Sequence, residues 1–429
     1  MTTDAESARA AEDVREEPAE AAEAIYERPT EGPLERFARV TELDVRMLTM
    51  VSAMVLIWLV FHFLFTNGLF LSARNLFNLA VQSSVVGIMA TGMVLVIVAR
   101  HIDLSVGSVL GFTGMVIAVL QVEVFPIGTA WGWPLSIVLG LGVGALIGVW
   151  QGFWIAYVGV PAFVVTLGGL LMFRGGAWLV TTGRTVAPMD PTYQLLGGGI
   201  EGSIGAFWSW VLGIVAIVAV VAVSLRSRAK RARYGFPVKP QWAEWGLILF
   251  SAIVIIGFVQ IMNSYYKPRT TIPRGIPIPV LMLIAVVLVM TFLSKATKFG
   301  RYVFAMGGNP EAASLSGINV KRTTMMIFVV MGILCATAAV VSTARLNAGA
   351  NSLGTLQELS VIAAAVIGGT SLAGGIGTVP GAILGAVLMQ SLDNGMVLMG
   401  VSSALRQIII GLVLIAAVGF DVLYRRRQR

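Results

Sequence analysis

The sequence predicts an all-α membrane protein: a polytopic helical bundle of about 10–12 transmembrane helices, with glycine-rich segments that break or re-enter the membrane. Three observations predict it. The 429 residues are 57% hydrophobic and only 12% charged, about half the charged share of a soluble domain. The mean hydropathy is +0.85. About twelve apolar runs follow one another, most of them roughly 18 residues or longer and so able to cross the hydrocarbon of a bilayer. A soluble protein of this composition would expose apolar surface that soluble monomers avoid.

The first region, residues 1–45, differs from the rest. It is rich in Ala, Glu and Pro and poor in large apolar residues, which predicts a disordered acidic cytoplasmic tail. It has no basic segment ahead of an apolar core, so it does not read as a signal peptide. A short helix over residues 34–45 is expected to lead into the membrane. Residues 46–429 then form the transmembrane domain. The predicted crossings are 47–66, 77–99, 104–122, 134–157, 162–180, 206–225, 245–262, 277–294, 324–343, 358–373, 378–398 and 402–420.

Charge sets the orientation. With the N-terminus inside, the inner loops and C-terminal tail hold 16 Lys and Arg residues against 5 outside. Inner loops retain Lys and Arg, so both termini are expected inside. Most of the inner excess lies in the basic loop "RSRAKRARYGFPVK" (residues 226–239) and in residues 295–322. Arg174, Arg345 and Arg406 fall near or within spans and belong to neither side. Trp131, Trp133, Tyr265 and Tyr266 fall in outer loops, as an interfacial belt requires. The isoelectric point near 9.9 therefore reflects topology and not nucleic-acid binding. The lone Cys335 excludes an intrachain disulfide, and His62 and His101 lack neighbours spaced as metal ligands, so no metal site is expected.

The 48 glycines cluster within spans. Close helix packing through small residues is the plainer reading, and "LGLGVGALIG" (139–148) suits it. Residues 368–381 are too glycine-rich for an unbroken helix, so a break or re-entrant bend is expected there. "SVGSVLG" (105–111) and "GIGTVPG" (375–381) echo one another, which fits either a duplicated half or chance.

One inner loop, "GRYVFAMGGNPEAASLSGINVKR" (300–322), carries a complete set of helix signals. Asn309 can cap the start, Pro310 fits the first helical position, and Glu311 complements the dipole. Gly317 suits a left-handed stop. A helix this short is marginal in water, so something must hold it. Ala312, Leu315 and Ser316 share a face, with Ile318 just beyond. That face either tucks onto the chain's own spans or docks on another protein, and spacing alone does not decide between them.

This stretch, with "IDLSVGS" (102–108), "VPAFVVTLGGL…FRG" (160–175), "IGGTSLAGG" (367–375) and "LDNGM" (392–396), resembles the permease subunits of bacterial ABC importers for monosaccharides, the ribose, galactose and xylose group. The resemblance covers residues 48–421. "NGLFLSARN" (67–75), "TTGRTVAP" (181–188) and the added hairpin 206–262 with its basic loop are most similar to the xylose branch. The multiple-monosaccharide permeases remain an alternative. Ser360 stands where that pattern has an aspartate.

The resemblance implies a location in the bacterial cytoplasmic membrane. It implies three partners: a separate ATP-binding subunit, an extracytoplasmic sugar-binding protein and a second permease copy. Magnesium and ATP would bind in the partner subunit, with no cofactor on this chain. The absence of a G-x-x-x-x-G-K-[ST] phosphate loop agrees. Gly308, Asn309, Pro310, Glu311, Ala312, Leu315, Ser316 and Gly317 would then couple ATP-driven motion to the spans. Asp103, Ser105, Gly107, Glu358, Gly374, Gly375, Asp393 and Asn394 are the candidates for a path or gate, since intramembrane acids face cavities or pair with bases. Arg406 is the expected partner of Asp393, and Arg345 of Glu358. Gln82, Gln390, Asn394 and Asn78 can offer hydrogen bonds to sugar hydroxyls. An ion-coupled secondary transporter is the second class, needing intramembrane carboxylates but no docking helix. A membrane enzyme is the third, and no HExxH or GxSxG motif supports it.

Overall fold

Long apolar runs leave the backbone one economical way through a bilayer, because every N–H and C=O must be satisfied within the segment. The computed structural model describes residues 45–426, and the chain there is helical, with no strand ladder among the described residues and only isolated bridges such as Val186 with Gly349. Ten helices are long and apolar enough to cross a membrane. They are α1 (Val45–Val60, extended by a π turn over Phe61–Phe65), α2 (Ala73–Val98), α3 (Val106–Val119, extended to Val124), α4 (Gly132–Phe153, extended to Val158), α5 (Ala162–Thr181), α7 (Gly205–Arg233), α8 (Gln241–Asn263), α9 (Ile278–Lys295), α12 (Val320–Leu346) and α14 (Val379–Leu398). Short helices lie between them: α6 (Pro191–Gln194), α10 (Lys298–Gly308), α11 (Pro310–Leu315) and α13 (Gln357–Ile367). The last is α15 (Ser403–Arg426). The acidic tail expected over residues 1–45 lies outside the described residues, apart from Val45, which begins α1.

The described chain falls into two compact units. One comprises residues 46–223 and 248–429, and the other is described over 224–247, the loop end of the α7–α8 hairpin. The core of the larger unit is set by α2. Its span is 94% buried, against 67% for α3 and α12 and 6% for α1. A helix that is apolar all round must lie inside a bundle or face lipid, and α2 lies inside. Side chains such as Leu56, Phe63 and Leu179 stand exposed, and a bilayer is the solvent that suits them.

The two glycine clusters resolve differently. Gly144 and Gly332 face each other across α4 and α12, where a Cβ on Gly332 would stand 2.0 Å from the Gly144 carbonyl oxygen. Gly148 likewise meets the backbone of Phe328. That cluster packs two helices at close range, as small residues do in membranes. Residues 368–378, in contrast, are non-helical between α13 and α14, as their composition predicts.

The sequence reading placed a helix over 358–373. The structure shortens it to α13 and shows a second break ahead of it. After α12 stops at Asn347, in left-handed conformation, residues 347–356 run unwound along α3. Gly349 lies against Ala118, Leu353 against Gly111 and Gly114, and Gly354 against Gly107. That path covers about 16 Å of helix axis. Twelve predicted crossings therefore appear as ten full spans, one half-unwound segment ending in α13, and α15, whose apolar part counts 403–416.

Candidate functional site

Three groups of side chains gather at different places in the larger unit. The first surrounds a cavity of about 270 Å³ among α2, α12, α13 and α14. Gln82, Ser342, Arg345, Gln357, Gln390, Asp393 and Asn394 supply its polar lining. A second cavity of about 240 Å³ shares Gln357, Gln390 and Asp393 with it and adds Ser360, Arg406 and Gln407. The two cavities meet at these three shared side chains. Arg406 donates to the Asp393 carboxylate at 2.9 Å, as the sequence predicts. Asn394 accepts from the Asn75 side chain at 2.8 Å, and Asn75 also donates to the Phe70 carbonyl. Asn75 thus fixes the Asn394 amide. The Gln357 Oε1 is buried and has no hydrogen-bond partner, a donor-seeking group beside the void. Of the four amides singled out for sugar hydroxyls, Gln82, Gln390 and Asn394 line the cavity, and Asn78 is absent from its lining.

The second group lies where α3 begins. Asp103 is buried, and its Oδ1 accepts from the Ser105 amide at 2.8 Å and the Ser105 hydroxyl at 2.6 Å. Gln151 of α4 donates to the same hydroxyl. Burial pushes the Asp103 carboxyl above the usual carboxylate range, and the two Ser105 donations oppose it. Gly107 gives room to the unwound segment: a Cβ there would stand 2.3 Å from both the Gly354 carbonyl and a Glu358 carboxylate oxygen. Glu358 therefore points at the start of α3. The expected pair with Arg345 gives way to another arrangement, because Arg345 lines the cavity while the charges acting on Glu358 come from Arg174 and Asp103. Arg174, within α5, donates to the carbonyls of Asn351 and Leu353 at 3.2 and 2.8 Å. It satisfies backbone that unwinding left bare, which is the condition for irregular chain at membrane depth.

The third group is the helix pair α10–α11. Asn309 caps α11 by accepting from the amides of Glu311 and Ala312, each at 3.1 Å. Pro310 takes the first position. At the far end, the Ile318 amide donates to Ala313 and the Gly317 amide to Ser314, with Gly317 at φ +81°. That pair of bonds is a Schellman stop. Ala313 is buried and Ile318 packs against the core, so one side is nailed down. The other side is open. Ala312 and Ser316 are exposed, and Leu315 is 90% exposed. The shared face does not tuck onto the chain's own spans.

Behind α11, three elements meet at the end of α2. The Arg100 guanidinium donates to the carbonyls of Gly307 and Gly308 at 2.7 and 2.6 Å. The Gly375 amide donates to the Val98 carbonyl at 2.9 Å. Gly374 lies against Arg100 and Gly307, where a Cβ would come within 2.6 Å of both. Gly308 of the coupling set and Gly374 and Gly375 of the gate set therefore belong to one junction. The eight gate candidates separate into three places: Asp103, Ser105, Gly107 and Glu358 at the start of α3, Gly374 and Gly375 behind α11, and Asp393 and Asn394 at the cavity.

Sequence reasoning missed the roles of Arg100, Arg174 and Asn75. Arg174 did carry a signal, since a guanidinium in mid-span needs a polar partner. Arg100 closes a contact 207 residues away, which no local pattern reveals.

Comparison with known proteins bears on these groups together. The family model for the "branched-chain amino acid transport system / permease component" matches residues 75–418. The xylose transport system permease protein of Escherichia coli strain K12 is 40% identical over 392 residues, 91% of this chain and 95% of the relative. Its counterpart in Haemophilus influenzae is 40% identical over 365 residues, 85% and 92% of the two chains. The ribose import permease protein of Escherichia coli K12 is 32% identical over 353 residues, 82% and 87%. No solved structure matches.

Proposed function

The chain belongs to the branched-chain amino acid transport permease family, and from that premise we propose that it is the membrane subunit of an ATP-driven importer that carries xylose inward. The observation that carries this reading is the exposed face of α11. A helix of six residues, capped at both ends and fastened on one side, presents Leu315 at 90% exposure. Isolated leucines on a surface are ordinary. One placed on a rigid helix of a polar inner loop is a knob for a partner's groove, here the separate ATP-binding subunit.

Force applied at α11 has a short route inward. Ala313 and Ile318 seat the helix on the core. Gly307 and Gly308 carry the displacement to Arg100 at the end of α2, and Gly374 and Gly375 pass it to the break ahead of α14. α2 and α14 both line the cavity, through Gln82 on one and Gln390, Asp393 and Asn394 on the other. Moving these two helices changes the shape of that cavity. A monosaccharide needs hydroxyl partners of both donor and acceptor type, and side-chain amides are both. The cavity size lies just below the usual range of small-molecule sites, as a single sugar requires. An extracytoplasmic binding protein delivers the sugar, a second copy of this chain completes the path, and the assembly sits in the bacterial cytoplasmic membrane.

The test is sugar uptake into proteoliposomes that hold this chain with its ATPase and binding protein. Labelled xylose is compared with ribose and galactose, and internal ATP with an imposed ion gradient. ATP-dependent uptake of xylose is expected. Uptake by this chain alone on a gradient would favour the secondary transporter, and equal uptake of all three sugars would favour a multiple-monosaccharide permease.

A further inference from the structure

Given the importer reading above, on which this rests, we infer that the second cavity is a sugar station of its own, joined to the first through the Gln357 side chain. Helical spacing builds it. Gln357 and Ser360 lie three apart on α13, and Gln390 and Asp393 three apart on α14. Ser403, Arg406 and Gln407 follow at spacing three and four on α15. Residues at that spacing share a helix face, so each helix contributes one polar stripe. The three helices pack on one another, and the stripes line about 240 Å³. Leu405, Ile408 and Leu412 of α15 are exposed, so this cavity lies near the rim of the bundle. The first cavity instead reaches α2, the buried centre.

The lining selects a class of ligand. Among the described residues its charges are Asp393 and Arg406, which pair at 2.9 Å. That pair is neutral, so the cavity favours no ion of either sign. Two hydrogen-bonding atoms are left over. The Arg406 Nε can only donate, the Gln357 Oε1 can only accept, and both are buried without a partner. Such atoms cost stability until something bonds to them. An anion would serve the first and be repelled by the second, and a metal cation would do the reverse. A hydroxyl donates and accepts, so a neutral polyol serves both. The terminal torsion of a glutamine is broad, so the Gln357 amide turns toward a ligand without moving its helix. Gln357 is also the first residue of α13, directly after the unwound segment, and lines both cavities. A sugar passing between them keeps that partner while it exchanges the others.

The test uses the full chain in lipid nanodiscs. Ser403 lines only the second cavity and is exposed, and Cys335 is buried. A Ser403→Cys chain therefore reports on this cavity by its rate of modification with a maleimide. Xylose should slow that rate in a saturable way. It should not slow labelling of a Thr270→Cys chain, whose thiol lies on an exposed loop. Adding Gln357→Leu to Ser403→Cys should raise the protecting xylose concentration by about 2- to 10-fold, the worth of one neutral hydrogen bond. Protection in the parent Ser403→Cys chain is a readout that does not depend on the Gln357 variant folding. Labelling that xylose leaves unchanged, or a thiol at 403 that does not label without sugar, would overturn the station. So would equal protection by inorganic phosphate or sodium ions. The uptake assay separates the two claims: ATP-driven xylose uptake with no protection at 403 sinks the second station alone. Absence of uptake by the wild-type assembly sinks the importer reading and the station with it.

Discussion

Arg100 is the smallest part on which the proposed coupling route turns. Its guanidinium makes two hydrogen bonds to the carbonyls that end α10, where a cation also complements the helix dipole. Hydrogen bonds to charged groups contribute about 1.5–3 kcal/mol each. Arg100→Gln should therefore loosen the junction while leaving α11 in place. Uptake is expected to fall while the ATPase subunit still binds, and ATP consumed per sugar moved should rise. Gly107 makes a different prediction. A methyl there would collide with the Gly354 carbonyl and Glu358, so Gly107→Ala should cost about 1–3 kcal/mol by overpacking and lower the melting temperature in detergent. Gln390, at the cavity, makes a third. Removing one hydrogen-bonding side chain costs about 0.5–1.5 kcal/mol, so Gln390→Ala should raise the half-saturating sugar concentration by about 2- to 10-fold, with stability little changed. The sequence exposed some of these residues and hid others. Asp393 with Arg406 was legible because both charges fall at neighbouring span ends and each needs a partner. Glu358 was misassigned to Arg345 because the unwinding of 347–356 rotates it toward α3, and periodicity carries no information about an unwound turn.

At the scale of elements, α11 was readable almost residue by residue. Its cap, first-turn proline and left-handed stop are local chemistry, and local chemistry is what sequence shows best. Asn309→Ala should remove about 1 kcal/mol from this helix. Because the helix is marginal alone, uptake should drop more than the melting temperature does. The glycine-rich break at 368–378 was legible from composition. The break at 347–356 was not, since it contains only Gly349 and Gly354 and its stability comes from Arg174 and from packing on α3. Those are tertiary causes. The close packing of α4 on α12 was visible as a glycine cluster, but its partner helix was not.

For the whole molecule, hydropathy marked the ten long apolar helices among the described residues, because a bilayer selects long apolar runs. Which helix sits at the centre was not legible: α2 and α7 are both strongly apolar, at mean hydropathy 2.1 and 2.5, yet only α2 is buried. The central claim is that α11 presents Leu315 to the ATPase subunit. The chain makes a direct measurement simple, because its one cysteine, Cys335, is buried at 1% exposure. A Leu315→Cys chain therefore carries a single accessible thiol. Its rate of modification by a membrane-impermeant maleimide should be measured in inside-out vesicles with and without the ATPase subunit. The account predicts fast labelling of the free permease and strong protection by the subunit. Equal labelling in both states would contradict it.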